Sequence, residues 1–172
     1  MATGNNTENY HEEQNKQNII KLRTVLDTLP KFCRTFFRGI EEYTSSRTRL
    51  AYAYDLRLFF EFLHEKNSVC AKMEIPDYPL SLLDQISRID IEEFLEYVTL
   101  YQKDGRDITN DERGKARKLA ALRSLYTYFF QGELIEKNTA SLVPLPKQHE
   151  KAIIRLEPNE VAMLLDQVEE GT

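Results

Sequence analysis

Residues 46–66, SRTRLAYAYDLRLFFEFLHEK, limit most strongly what this chain can fold into. Tyr52, Leu56, Phe59 and Leu63 recur at intervals of three and four, which places them on one side of an α-helix. Phe60 and Phe62 widen that stripe, while Leu50, Tyr54, Arg57 and Glu61 fall along another side. Ser45 or Ser46 can offer an oxygen to the free N–H groups of the first turn. An apolar face this broad requires other elements packed over it.

The rest of the chain supplies helices for that purpose. Residues 1–16 are polar and are expected to form a disordered tail. From Gln17 to Leu29, Ile19, Leu22, Val25, Leu26 and Leu29 keep helical spacing, and Pro30 then interrupts. Phe32, Phe36, Phe37, Ile40 and Tyr43 predict a short helix that Gly39 weakens. Pro76 and Pro79 mark residues 67–79 as a loop, and LSLLDQI fits a single helical turn. RIDIEEFLEYVTLYQ is amphipathic, with Asp90 as its cap and Ile91, Phe94, Leu95, Val98 and Tyr101 inward. KDGRDITNDERG reads as a polar loop. It feeds RGKARKLAALRSLYTYFF, where Leu119, Leu122, Tyr126, Phe129 and Phe130 are expected to face the core and Gly132 to cap the end. No stretch alternates with a period of two for long, and glycine and proline number only six each. The fold class is therefore all-α, a compact bundle of about four to six helices. LVPLPKQHEKAIIR, with two prolines and no amphipathic repeat, reads as an extended linker over 143–155. EPNEVAMLLDQVEE begins a new helix with Pro158 in its first turn. That helix has nothing after it to pack on, which suits the start of a second, truncated domain over 156–172 and leaves 17–142 as the helical domain.

Charge is distributed unevenly. The net charge is -5, and the segment from Glu74 to Thr99 holds seven acids against the single base Arg88. By contrast, Arg113, Lys115, Arg117, Lys118 and Arg123 occupy residues 113–131 with no acid among them. Lys31, Arg34, Arg38, Arg47 and Arg49 add bases near the long helix. A basic helical face of this kind can lie along DNA phosphate, and arginine can also read a guanine edge. The competing reading is a solvated helix face, with the acidic segments serving a stand-alone protein-interaction module.

Sites for catalysis or metal binding are sparse. His11, His64 and His149 have no partners at metal-ligand spacing, and no Walker-type loop, GxSxG or HExxH occurs. No metal, cofactor or catalytic residue is expected in this chain. Cys33 and Cys70 fit no CxxC pattern and are expected as buried, reduced thiols of a cytoplasmic protein. No apolar run approaches the roughly 18 residues of a membrane span.

Three stretches resemble one family. SSRTRLAYAYDLRLFFEFL resembles the Ser-x-x-Thr-x-x-x-Tyr-x-x-Asp-Leu-x-x-Phe-x-x-Phe-Leu pattern that opens the core-binding domain of tyrosine recombinases of the phage-integrase and Xer type. Ser45 or Ser46, Thr48, Tyr52, Asp55, Leu56, Phe59 and Leu63 occupy its main positions. ARKLAALRSLYTYFFQGELIEKNTASLVPLPK is similar to the last long helix and exit of that domain, and KAIIRLEPNEVAMLLDQVEEG to the entry of the catalytic domain. Thr139 and Ile154 stand where the family usually has proline.

The resemblance implies a SAM-like integrase core-binding fold that clamps double-stranded DNA at a recombination core site. It also implies a catalytic domain, lying beyond this sequence, that cleaves and rejoins DNA through a phosphotyrosine. The full-length protein would act as a tetramer on DNA, with the isolated piece monomeric. The residues implied for DNA contact are Arg47, Thr48, Arg49 and Tyr52 from the first helix and Arg113, Lys115, Arg117, Lys118 and Arg123 from the second. Lys147 and Lys151 would follow phosphate along the linker.

Overall fold

The computed structural model describes residues 3–147, ordered as α1 (Thr3–Leu26), α2 (Phe32–Gly39), α3 (Ser46–Lys66), α4 (Leu82–Gln85), α5 (Arg88–Tyr97), β1 (Leu100–Lys103), β2 (Arg106–Thr109) and α6 (Glu112–Gln131). Short 3-10 turns at Glu41–Tyr43, Cys70–Lys72, Ile75–Asp77 and Thr139–Leu142 bridge the remaining segments. The molecule is a mostly helical bundle with one small antiparallel hairpin.

Three helices, α3, α5 and α6, start where a side chain satisfies a free N–H group. Ser45 Oγ accepts the Thr48 N–H at 3.1 Å to open α3. At α5 the cap is Ser87, not Asp90: Ser87 Oγ accepts the Asp90 N–H at 3.1 Å. Asp90 Oδ2 reaches back to accept the Ser87 N–H at 2.8 Å. This is a reciprocal capping box in which aspartate takes the place usual for glutamate. At α6, Asp111 Oδ1 accepts the Gly114 N–H at 2.9 Å.

The core forms around α3. Phe59 is buried against Phe60 and Phe94 in edge-to-face contacts, with ring centroids 5.5 and 5.0 Å apart. Phe32 bridges Phe60 of α3 and Phe129 of α6. The buried Tyr126 hydroxyl donates to the Leu83 carbonyl at 2.8 Å and so fastens α6 to α4. Gly39 does more than weaken α2. A Cβ there would come within 2.6 Å of the Tyr128 ring, so the close approach of α2 to α6 needs glycine at this position. Cys33 and Cys70 are buried and unbridged, and burial pushes the Cys33 thiol pKa well up, leaving it a poor nucleophile.

Several elements differ from the sequence expectation. The expected tail is helical from Thr3 onward, as the exposed first half of α1. Its second half is anchored by Leu22 and Val25, and extending an existing helix costs far less than nucleating one. Gln14 and Gln17 add side-chain bonds four residues apart along it. The expected polar loop before α6 contains the hairpin, paired Lys103 with Arg106 and turned at Asp104 and Gly105, both with positive φ. Phe130, expected to face the core, is exposed, and Tyr43 lies beyond α2 in an exposed 3-10 turn. The expected linker is described only as far as Lys147. Residues 156–172 lie outside the described residues.

Candidate nucleic-acid interface

The inner side of α6 is committed to the core through Leu119, Leu122, Leu125, Tyr126 and Phe129. On the opposite side Arg113 and Arg117 are exposed one turn apart. Ala116, Ala120 and Ser124 follow at four-residue intervals and are half-buried. The later turns are covered. Arg123 Nε donates to the Ala140 carbonyl at 3.3 Å, and its Nη2 donates to the Val143 carbonyl. Asn138 Nδ2 donates to Thr127 Oγ1 at 3.5 Å. Arg123 thus holds the exit segment against α6 and is not an open cation, contrary to the sequence expectation. The physical reason is that the 3-10 turn Thr139–Leu142 and Val143 after it lie against the helix there, with carbonyls that need donors.

The start of α3 separates its two arginines in the same way. Arg47 is exposed, whereas Arg49 is only 7% exposed. The Arg49 guanidinium donates to the Glu41 carbonyl at 3.0 Å and to Thr44 through both its carbonyl and its Oγ1. It works as an internal brace for the turn that precedes α3, so the expected surface contact is corrected here as well. Asn18 of α1 donates to Ser46 Oγ at 3.3 Å and steadies the same helix end. Thr48 is half-buried, with its Oγ1 accepting from Ser45 Oγ at 3.0 Å. Tyr52 is half-buried and packs on the core.

Lys118 is the third correction. Its ammonium lies 3.4 Å from Asp55 Oδ1, with the two side chains 14% and 13% exposed. Burial raises the Asp55 pKa, and the charges of Lys118 and Arg117 pull it back. The pair joins the middle of α3 to the second turn of α6. The sequence marked Lys118 only as one base in a run, because nothing in a linear pattern shows which cation meets an acid 63 residues away. Lys115 is half-buried and Lys147 exposed, while Lys151 lies outside the described residues. Among the described residues none of Arg47, Arg113, Lys115, Arg117 and Lys147 is paired with a carboxylate.

The open bases that remain are therefore Arg47 at the start of α3 and Arg113, Lys115 and Arg117 on the first turns of α6, and Asp55 and Lys118 join the two helices. The acidic surface sits on another element: on α5, Glu93 and Glu96 are exposed and Glu92 pairs with Arg88 at 3.2 Å. No group of three or more His, Cys, Asp or Glu side chains among the described residues could hold a metal ion. None of the described helices is long and apolar enough to cross a membrane.

Several known proteins are similar to this chain in sequence. The chain is 30% identical over 132 residues to the tyrosine recombinase XerC of Caldanaerobacter subterraneus, a match that covers 73% of the chain and 36% of that relative. XerC of Leptospira interrogans is 27% identical over 140 residues, covering 81% of the chain and 38% of the relative. XerC of Anoxybacillus flavithermus is 28% identical over 125 residues, covering 73% and 35%. The chain thus spans little more than a third of the length of the curated relatives it matches. No family model matches the chain, and no solved structure does. The agreement of several recombinases over most of these residues makes the chain a relative of the tyrosine recombinases, corresponding to their amino-terminal domain.

Proposed function

We propose that this chain is the DNA-binding amino-terminal part of a site-specific tyrosine recombinase and grips duplex DNA with the open bases of α3 and α6. One observation carries the reading: the first turns of α6 combine exposed, unpaired arginines with a face of small side chains. Arg113 and Arg117 can bond phosphate or a guanine edge, while Ala116, Ala120 and Ser124 allow the helix axis to approach closely. The major groove, about 12 Å wide, admits a helix of that profile. Arg47, beside the Ser45 cap of α3, adds charge on the neighbouring helix, with Thr48 and Tyr52 at its edge.

In this reading residues 17–142 form the core-binding domain and 143–155 the linker, along which Lys147 and Lys151 follow phosphate. Residues 156–172 begin a catalytic domain. Cleavage and rejoining through a phosphotyrosine belong to that further domain, in a protein acting as a tetramer on its core site. This chain contributes binding and placement.

The test is a salt titration of duplex binding. With Arg49, Lys118 and Arg123 occupied inside the domain, Arg47, Arg113, Lys115 and Arg117 remain on the two helices for phosphate, with Lys147 and Lys151 on the linker. The log–log slope of affinity against salt should be between about -3.6, with the helix bases alone, and about -5.4, with the linker lysines engaged as well. Absence of duplex binding at low salt, or a slope near zero, would refute the reading.

A further inference from the structure

The pair between Asp55 and Lys118 joins α3 to α6, two helices that both contribute apolar side chains to the core. Both groups are largely withdrawn from water, and among the described residues Lys118 is the one partner of the Asp55 carboxylate at hydrogen-bond distance. A carboxylate has about four acceptor sites, so this one is sparsely satisfied. Apolar side chains at such a place are often as stable as a buried ion pair, or more so. Stability alone therefore gives weak reason for charge here.

The location supplies another reason. Asp55 lies two turns along α3 from Arg47 and Thr48. Lys118 follows Arg117 directly, and the Arg117 charge also acts on the Asp55 carboxylate. The pair thus sits between the helix that carries Arg47 and the helix that carries Arg113 and Arg117, and it is directional in a way that an apolar contact is not.

We infer that Asp55 is a positioning residue for DNA recognition: by holding Lys118 between α3 and α6, it sets the spacing between Arg47 and the open bases of α6 and withholds the Lys118 charge from phosphate. This rests on the DNA-binding reading above. Asp55 itself touches no nucleic acid. Its carboxylate acts through Lys118 on the placement of Arg117 and Arg113 relative to Arg47.

The experiment uses the full chain and a fluorescent duplex, and compares the parent with Lys118→Met and with the double variant Asp55→Leu/Lys118→Met. The double variant removes one charge of each sign, so net charge does not change. It is expected to unfold at or above the parent temperature, yet to bind duplex at least tenfold more weakly at equal salt. Lys118→Met alone should leave the salt slope unchanged. Parent-like affinity in a stable double variant would make the pair purely structural and overturn the inference. A slope flattened by about 0.9 in Lys118→Met would also overturn it, because Lys118 would then be contacting phosphate. Should the double variant not fold, Asp55→Asn combined with Arg117→Ala decides. Positioning through Arg117 predicts that Asp55→Asn weakens binding in the parent but has little effect once Arg117 is absent. Equal losses in both backgrounds would overturn it. Failure of the DNA-binding reading looks different, since the parent itself would then not bind.

Discussion

Alanine in place of Arg47, Arg113 and Arg117 together is expected to lower duplex affinity by roughly two to three orders of magnitude at about 0.1 M salt. The estimate follows from counterion release. Each base that neutralises a phosphate contributes nearly one unit to the log–log salt slope, and at that salt nearly a decade of affinity. All three side chains are exposed and none is paired with a carboxylate among the described residues, so thermal unfolding should barely move. Fluorescence anisotropy across a salt series reads the affinity, and a thermal melt of the same sample reads the fold. A loss below about tenfold with an intact melt would remove these arginines from the interface. The comparison is informative because Arg49 and Arg123, equally basic in sequence, are engaged inside the domain. Their substitution acts first on stability.

The second large effect concerns the core. Phe59→Ala is expected to destabilise the domain by about 3–5 kcal/mol. Phe59 is fully buried, and its ring meets both Phe60 and Phe94, so truncation loses apolar burial and leaves a cavity between α3 and α5. For a chain of this size the melting temperature should fall by roughly 10 to 15 °C. A fall under about 3 °C would mean that α3 is not the central helix. The effect on DNA binding should vanish below the new melting temperature, since none of the open bases is touched.

The sequence made some features legible and hid others for identifiable reasons. The apolar spacing of Leu56, Phe59 and Leu63 announced α3, and all three are buried. Ser45 announced its start, because capping depends on neighbours a few residues away. The hairpin was less visible. Its strands are only four residues each, too short for alternation to stand out, although Asp104 and Gly105 form the dipeptide that favours such a turn. The helical start of α1 was hidden because composition alone cannot tell a polar tail from a polar extension of an anchored helix.

At the candidate site, the run of bases in α6 was plain in the sequence, but the accessibility of each base was not. Arg117 and Lys118 are adjacent and equally charged in a linear reading. In three dimensions one is exposed and the other meets Asp55. Arg47 and Arg49 divide likewise, two residues apart. The deciding partners, Asp55 for Lys118 and the Ala140 and Val143 carbonyls for Arg123, come from distant segments whose placement depends on the whole bundle. The small residues at 116, 120 and 124 were present as a four-residue repeat, and their role became apparent only once the opposite side of α6 was assigned to the core.

Binding of duplex DNA by α3 and α6 is tested most directly by an NMR titration of the isotopically labelled chain, mapped residue by residue. Shifts are expected to concentrate at 47–54 and 113–124, with α5 from Arg88 to Tyr97 unaffected. Shifts centred instead on Glu93 and Glu96 of α5, or no shifts at low salt, would contradict binding by α3 and α6.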